Sequence, residues 1–160
     1  MRRFVLIALV LAPLAGCQSA QVLEEKNKAV ASRAFEEILS QGHFERAEEL
    51  YARDFVNHGL HRDIGLKEDQ DAAKGWRSAF PDARMEVQEV VAEGDRVAVL
   101  WVGRGTNTGT GNGLPATGKS AELRGITIWR IVDGRIKEEW SAYNELSLMQ
   151  QLGLMPPAGQ

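Results

Sequence analysis

The sequence predicts an α+β domain in which helices come first and an antiparallel sheet follows. Up to Pro81 the apolar residues recur at three- and four-residue spacing, as on one face of a helix. Beyond Pro81 they alternate, β-branched residues become frequent, and short glycine-containing turns separate the runs. With 160 residues and 44% hydrophobic content, the chain has material for one domain whose core needs no disulfide staples.

The opening residues are of a different kind. Arg2 and Arg3 precede an apolar run from Phe4 to Ala15, which is shorter than the roughly 20 residues of a spanning helix but suits the core of a secretory signal. It ends in Leu14-Ala15-Gly16-Cys17, which resembles the lipobox of bacterial lipoproteins, where cleavage precedes the cysteine and lipid is attached to its sulfur. Cys17 is the only cysteine, so its acylation would exclude disulfides and a cysteine nucleophile. The expected organisation is a signal peptide over 1–16, a lipidated tether over 17–22, a domain over 23–154 and a tail over 155–160. The product would be exported and held at the cell envelope by lipid on Cys17. Gln18, rather than aspartate, follows the cysteine, and by analogy this directs it to the outer membrane of a cell that has one.

Residues 23–41 read as a helix, with Leu23, Val30, Ala34, Phe35, Ile38 and Leu39 in one stripe and Gly42 as its stop. A shorter helix fits residues 43–52. An extended piece and a polar loop, DFVNHGLHRDIG, come next, and a third helix fits residues 66–80 and stops at Pro81. Four β-rich runs follow, paired around Glu93-Gly94-Asp95 and around Asp133-Gly134. A last amphipathic turn, ELSLMQQLG, ends at Gly153.

Composition narrows the function classes. A formal net charge of −3 with no basic stripe gives no footprint for nucleic acid. One stretch, GLPATGKS at 113–120, matches the phosphate-binding pattern G-x-x-x-x-G-K-[ST]. That motif works only between a strand and a helix, whose N-terminus faces the phosphates. Here a glycine- and threonine-rich loop precedes it and an alternating, β-branched run follows. The flanks contradict a nucleotide site, and Lys119 reads as a solvated loop residue.

Four blocks carry a resemblance: NKAVASRAFEEILSQGHFERAEELYARDFVNH, AFPDARMEVQEVVAEGDRVAVLWVGRGTNTG, GLPATGK and IWRIVDGRIKEEWSAYNELSLMQQLG. In this order they resemble the SnoaL-like polyketide cyclases of the nuclear transport factor 2-like superfamily, over roughly residues 26–154. The family's Gly-aliphatic-Pro-Pro-Thr-Gly-Lys loop joins two strands, and Ala116 stands here for its second proline. The resemblance implies a cone: a strongly curved antiparallel sheet, its concave face packed under the N-terminal helices around an apolar pocket for a small hydrophobic molecule. It also implies chemistry without metal or cofactor, and makes a homodimer through the convex face plausible.

Strand alternation says which residues share a face. Val97, Val99, Trp101, Gly103, Gly105 and Asn107 fall together, as do Thr127 with Trp129, and Glu139 with Ser141 and Tyr143. Asn57 and His58 come from the preceding loop region. The expected pocket residues are therefore Asn57, Trp101, Asn107, Thr127, Trp129 and Tyr143. The bland alternative makes the tryptophans core, His58 a loop cap and Glu139 a solvent-facing residue.

The resemblance puts the family's catalytic aspartate just after the tryptophan of the last strand, which here is Ser141, and its frequent histidine at Asn107. A serine cannot act as a base at neutral pH without a partner that takes its proton. The remaining acid–base candidates are Glu139 and His58. An arrangement of Ser141, His58 and Glu139 lacks a nucleophile elbow. With three histidines, two of them in one loop, no metal site is expected. Two readings stay open: a cofactor-independent cyclase or isomerase acting on a hydrophobic carbonyl compound by acid–base catalysis, and a non-catalytic lipoprotein module that binds a ligand or a partner.

Overall fold

A computed structural model describes the backbone over residues 14–157 and side chains from Gln18 onward. Residues 1–13 of the expected signal peptide and the side chain of Cys17 lie outside the described residues. No helix among the described residues is long and apolar enough to cross a membrane.

Helix α1 (Leu14–Arg33) runs directly into a π-helical segment over Ala34–Ser40. Residues 18–22, expected to form a tether, are thus helical; they contain no glycine or proline to interrupt the run. The inner face of this rod buries Ala31, Ala34, Phe35 and Ile38. Its outer half is tied to the sheet by Asn27, whose Nδ2 donates to the Gly94 carbonyl at 3.1 Å.

The expected helix over 43–52 is shorter: a 3-10 turn (Phe44–Arg46) and α2 (Ala47–Leu50). Strand β1 (Tyr51–His58) begins at once, because Tyr51 and Phe55 are drawn into the core, each 2% exposed. The short β2 (Asp63–Gly65) and helix α3 (Leu66–Ala79) come next, then β3 (Arg84–Glu93), β4 (Arg96–Thr106), β5 (Ser120–Val132), β6 (Arg135–Tyr143) and α4 (Glu145–Leu152).

The six strands form one sheet in the order β2-β1-β6-β5-β4-β3. The meander β3 to β6 is antiparallel, as alternation predicts. Its β5–β6 turn places Asp133 and Gly134 both at positive φ (51° and 73°), the geometry that suits a two-residue hairpin. The sheet as a whole is mixed, however, because β1 lies parallel to β6, with Asn57 opposite Glu139. No local pattern announces that pairing; it joins residues 82 positions apart.

The helix-covered, concave face is filled largely by aromatic rings. Phe35 lies 5.0 Å from Trp129 and 6.4 Å from Trp101, and Tyr51 meets Phe55 edge-on at 5.0 Å. Each such side chain contributes about 1.5–3 kcal/mol through its buried area. A second cluster, with Phe80, Leu114, Leu148 and Leu152, seats α4. On the convex face Val91, Leu100, Ile126 and Ile128 remain exposed.

The stretch 113–120 connects two strands. It leads into β5 at Ser120, so no helix N-terminus follows it. Asn107 organises this connection and is fully buried. Its Nδ2 donates to the carbonyls of Ala79 (3.1 Å) and Gly109 (3.0 Å), and its Oδ1 accepts from the amide and hydroxyl of Thr117 (2.9 Å each). Lys119 is exposed, with its Nζ over Gly153 at the C-terminal end of α4. Asn107→Ala is expected to cost about 3 kcal/mol in urea unfolding, since it strands several buried polar groups. Lys119→Ala is expected to cost less than about 1 kcal/mol.

Candidate active site

Along β6 successive side chains alternate between faces, and this separates the sequence candidates. Glu139 and Ser141 lie on the helix-covered face; Glu138 and Trp140 lie on the other. Glu139 is half-buried and does not face solvent. Its Oε2 accepts from Trp129 Nε1 at 2.7 Å, and its Oε1 accepts from Ser141 Oγ at 2.8 Å and Asn57 Nδ2 at 3.4 Å.

These bonds extend inward as a chain whose direction follows from the ionised form of Glu139. Trp101 Nε1 donates to Thr127 Oγ1 at 3.1 Å, and Thr127 Oγ1 lies 2.8 Å from Ser141 Oγ. With Glu139 ionised, the one hydroxyl proton of Ser141 goes to it, so Thr127 donates to Ser141. Gly125 makes the geometry possible: a Cβ there would come within 2.3 Å of the Trp101 ring. Trp101, Thr127 and Trp129 are therefore core residues and members of the polar chain at once. All three are under 7% exposed.

His58, proposed as a base, is on the opposite face. Its ring stacks on Trp140 with centroids 4.6 Å apart, and its nitrogens lie 3.2 Å from Asp63 and 3.3 Å from Glu138. Asn57 faces inward while the next residue of the same strand faces outward, so His58 and Glu139 are not brought together. Asn107 is also excluded from ligand contact, because the strand connection uses its donors and acceptor. Tyr143, 42% exposed, sits at the rim with its ring 6.3 Å from Trp101. Ser141 is exposed beside it, which marks the open side of the site.

One residue of the site was missed. Asp69, on the first turns of α3, accepts from Asn57 Nδ2 at 2.8 Å and from Gln70 Nε2 at 3.1 Å. Its only sequence signal was a carboxylate on a helix whose acidic residues otherwise face solvent.

Burial pushes the Glu139 carboxyl up to about 7, the nearby Asp69 charge adds to the rise, and the donors from Trp129 and Ser141 oppose it. Burial likewise raises Asp69, against the bonds from Asn57 and Gln70. Burial holds the phenols of Tyr51 and Tyr143 above their ordinary range, so both stay protonated at neutral pH. Among the described residues no lysine, arginine or histidine pairs with Glu139 or Asp69. A carboxyl half-ionised near pH 7 can both accept and return a proton.

The model of the SnoaL-like polyketide cyclases matches residues 29–152. The chain belongs to this family. Solved structures agree in fold. The proposed hydroxylase AclR from Streptomyces galilaeus is 24% identical, with a TM-score of 0.77 over 86% of this chain and 87% of its own. The proposed polyketide cyclase IdmH from Streptomyces antibioticus is 28% identical, with a TM-score of 0.70 over 79% of this chain and 98% of its own. A proposed SnoaL-like cyclase from Jannaschia sp. CCS1 is 22% identical, with a TM-score of 0.76 over 84% and 96%. No curated protein sequence matches the chain. Within this SnoaL-like fold Ser141 donates to the neighbouring carboxylate.

The raised carboxyl has a consequence for stability. Below about pH 4.5 Glu139 is protonated whether the chain is folded or not; between there and about pH 7 only the folded chain keeps the proton. Stability from this group is therefore full at low pH and is lost as pH rises through that window. Glu139→Gln stays neutral and escapes the loss. Relative to wild type it should gain on the order of 2 kcal/mol between pH 4.5 and 7.5 in urea unfolding, after allowance for partial exposure.

Proposed function

We propose that this SnoaL-like chain is a cofactor-independent cyclase or isomerase acting on a hydrophobic carbonyl compound, with Glu139 as general acid–base. The observation that carries the reading is the Glu139 carboxyl itself: raised to about 7, bonded by the neutral donors Trp129, Ser141 and Asn57, and close to the exposed Ser141 and Tyr143. Membership in a cyclase family and likeness to IdmH support it.

In the proposed step the Glu139 carboxylate takes a proton from the carbon next to a carbonyl. The electron pair of that C–H bond moves into an enolate. Tyr143, which keeps its phenolic proton, can donate to the enolate oxygen. The enolate then attacks a second carbonyl carbon of the same molecule, or takes the proton back at another carbon. Glu139 returns its proton to the alkoxide or carbon so formed, and the site ends as it began. The packed rings of Trp101 and Trp129 keep water from the inner side of Glu139, and a substrate would reach it from the open side at Ser141 and Tyr143.

The test uses α-tetralone and 2-decanone as lipophilic probes in deuterium oxide, with exchange at the α-carbon followed by proton NMR. The wild-type protein should accelerate exchange; Glu139→Gln should lose about 100-fold, and His58→Ala should stay within about threefold. Acceleration that survives Glu139→Gln, or none from the wild type, overturns the reading. The second outcome favours the binding-only alternative, which draws on the serine at 141.

We also propose that the chain is exported and lipid-anchored through Cys17, on the strength of the Leu14-Ala15-Gly16-Cys17 sequence. The residues after the cysteine are helical, so 18–22 would act as a rigid spacer of about 7–8 Å rather than a flexible tether. In detergent phase separation the wild type should enter the detergent phase and Cys17→Ser the aqueous one; identical partitioning rules the anchor out.

A further inference from the structure

The site contains a second carboxyl that neither the family motif nor the proposed reaction uses. Asp69 comes from α3 and Glu139 from β6, and a single amide nitrogen, Asn57 Nδ2, donates to both, at 2.8 Å and 3.4 Å. The two carboxyls therefore lie within about 6 Å of each other, the range in which like charges alter each other's proton affinity. Asn57 can hold them together because its two amide hydrogens diverge, one for each oxygen. The parallel pairing of Asn57 with Glu139 fixes one arm of this bridge, and the packing of α3 against β1 supplies the other.

We infer that Asp69 is a positioning residue whose charge, held against Glu139 through the Asn57 amide, sets the pH at which Glu139 accepts a proton. This rests on the acid–base role proposed for Glu139 and extends it: the base is tuned by a partner on another element and does not act alone.

The surroundings leave the carboxyl pair as the charged couple of the site. From β1 comes Tyr51, 2% exposed, and from β6 Tyr143, whose phenols are raised and neutral. From β5 comes the Trp129 N–H, and from β6 the Ser141 hydroxyl, both neutral donors. From α3 comes Gln70, 7% exposed, which donates to Asp69 while its Oε1 has no partner. The segment over Ala34–Ser40 contributes the Phe35 ring near Trp129. His58 and Arg130 both bond Glu138 on the far side of the sheet. With no cation opposite among the described residues, ionising both carboxyls at once is opposed by burial and by repulsion together. The pair gives up its two protons in separate steps.

Asp69 has an alternative, structural role, because its bond to Asn57 also fastens α3 to the sheet. The two roles predict different results in an experiment that needs no substrate. The full chain is labelled with glutamate carrying carbon-13 at Cδ, and Glu139 is assigned by its loss in Glu139→Gln. In the wild type its titration midpoint should lie near pH 7. In Asp69→Asn, which keeps the shape and the acceptor for Asn57 while Gln70 turns its amide to present Oε1, the midpoint should fall by about one pH unit. An unchanged midpoint in a folded Asp69→Asn protein overturns the inference and leaves a fastening role only.

The reciprocal measurement guards against a variant that fails to fold. With carbon-13 at aspartate Cγ, the Asp69 signal of the wild type should show a second inflection at the Glu139 midpoint that is absent in Glu139→Gln, because each carboxyl senses the other's charge. Absence of that second inflection refutes the pair. Both readings stand whether or not α-tetralone is turned over, so failure of the catalytic proposal and failure of this one are told apart.

Discussion

Placing a carboxylate on the covered face of this sheet is costly, because burial removes the water that would stabilise its charge. The fold answers with directional hydrogen bonds. Trp129, Ser141 and Asn57 all donate to Glu139, and Thr127 and Trp101 orient Ser141 from behind. Each donor is constrained by its own packing: the Trp101 ring lies against Gly125, and Trp129 is wedged between Phe35 and Tyr51. The donors reduce the burial penalty without cancelling it. That imbalance leaves the carboxyl near neutrality in its proton affinity, and the chemistry assigned to the site depends on it.

The site is completed by the crossing of the chain between β1 and β6. Insertion of β1 beside β6 in parallel puts Asn57 opposite Glu139, and the helix that follows β2 brings Asp69 to the other side of the same amide. A one-residue slip would exchange Asn57 for His58, because neighbouring side chains point to opposite faces. The aromatic anchors Tyr51 and Phe55 hold the register, since turning either outward would empty the core. The core and the site are thus determined by the same strand register.

The strand connection at 107–119 shows how a polar residue can serve the fold alone. Asn107 falls on the inward face in any alternation scheme, and so it reads as a pocket residue. Its side chain is instead consumed by Ala79, Gly109 and Thr117, which secure the loop that spells a phosphate-binding motif. The letters match because a tight strand connection needs glycine at positive φ at Gly113 and Gly118, as a phosphate-cradling loop needs it for other reasons.

The sequence by itself determined that helices precede the sheet, the two hairpins of the meander, and which residues of each later strand share a face. These follow from periodicity and turn chemistry, which are local properties. It also set Glu139 with Ser141 and Tyr143 on one face of the last strand, and Thr127 with Trp129 on one face of the strand before it. Only the tertiary structure decided that β1 joins the sheet in parallel, that His58 turns away from Glu139, and that Asp69 meets it through Asn57. Those outcomes depend on contacts between residues 12 and 82 positions apart, where helix packing and strand register, rather than local pattern, set which side chains meet. The proton affinity of Glu139 belongs to the same class, because it arises from burial and a neighbouring charge that exist only once the chain has folded.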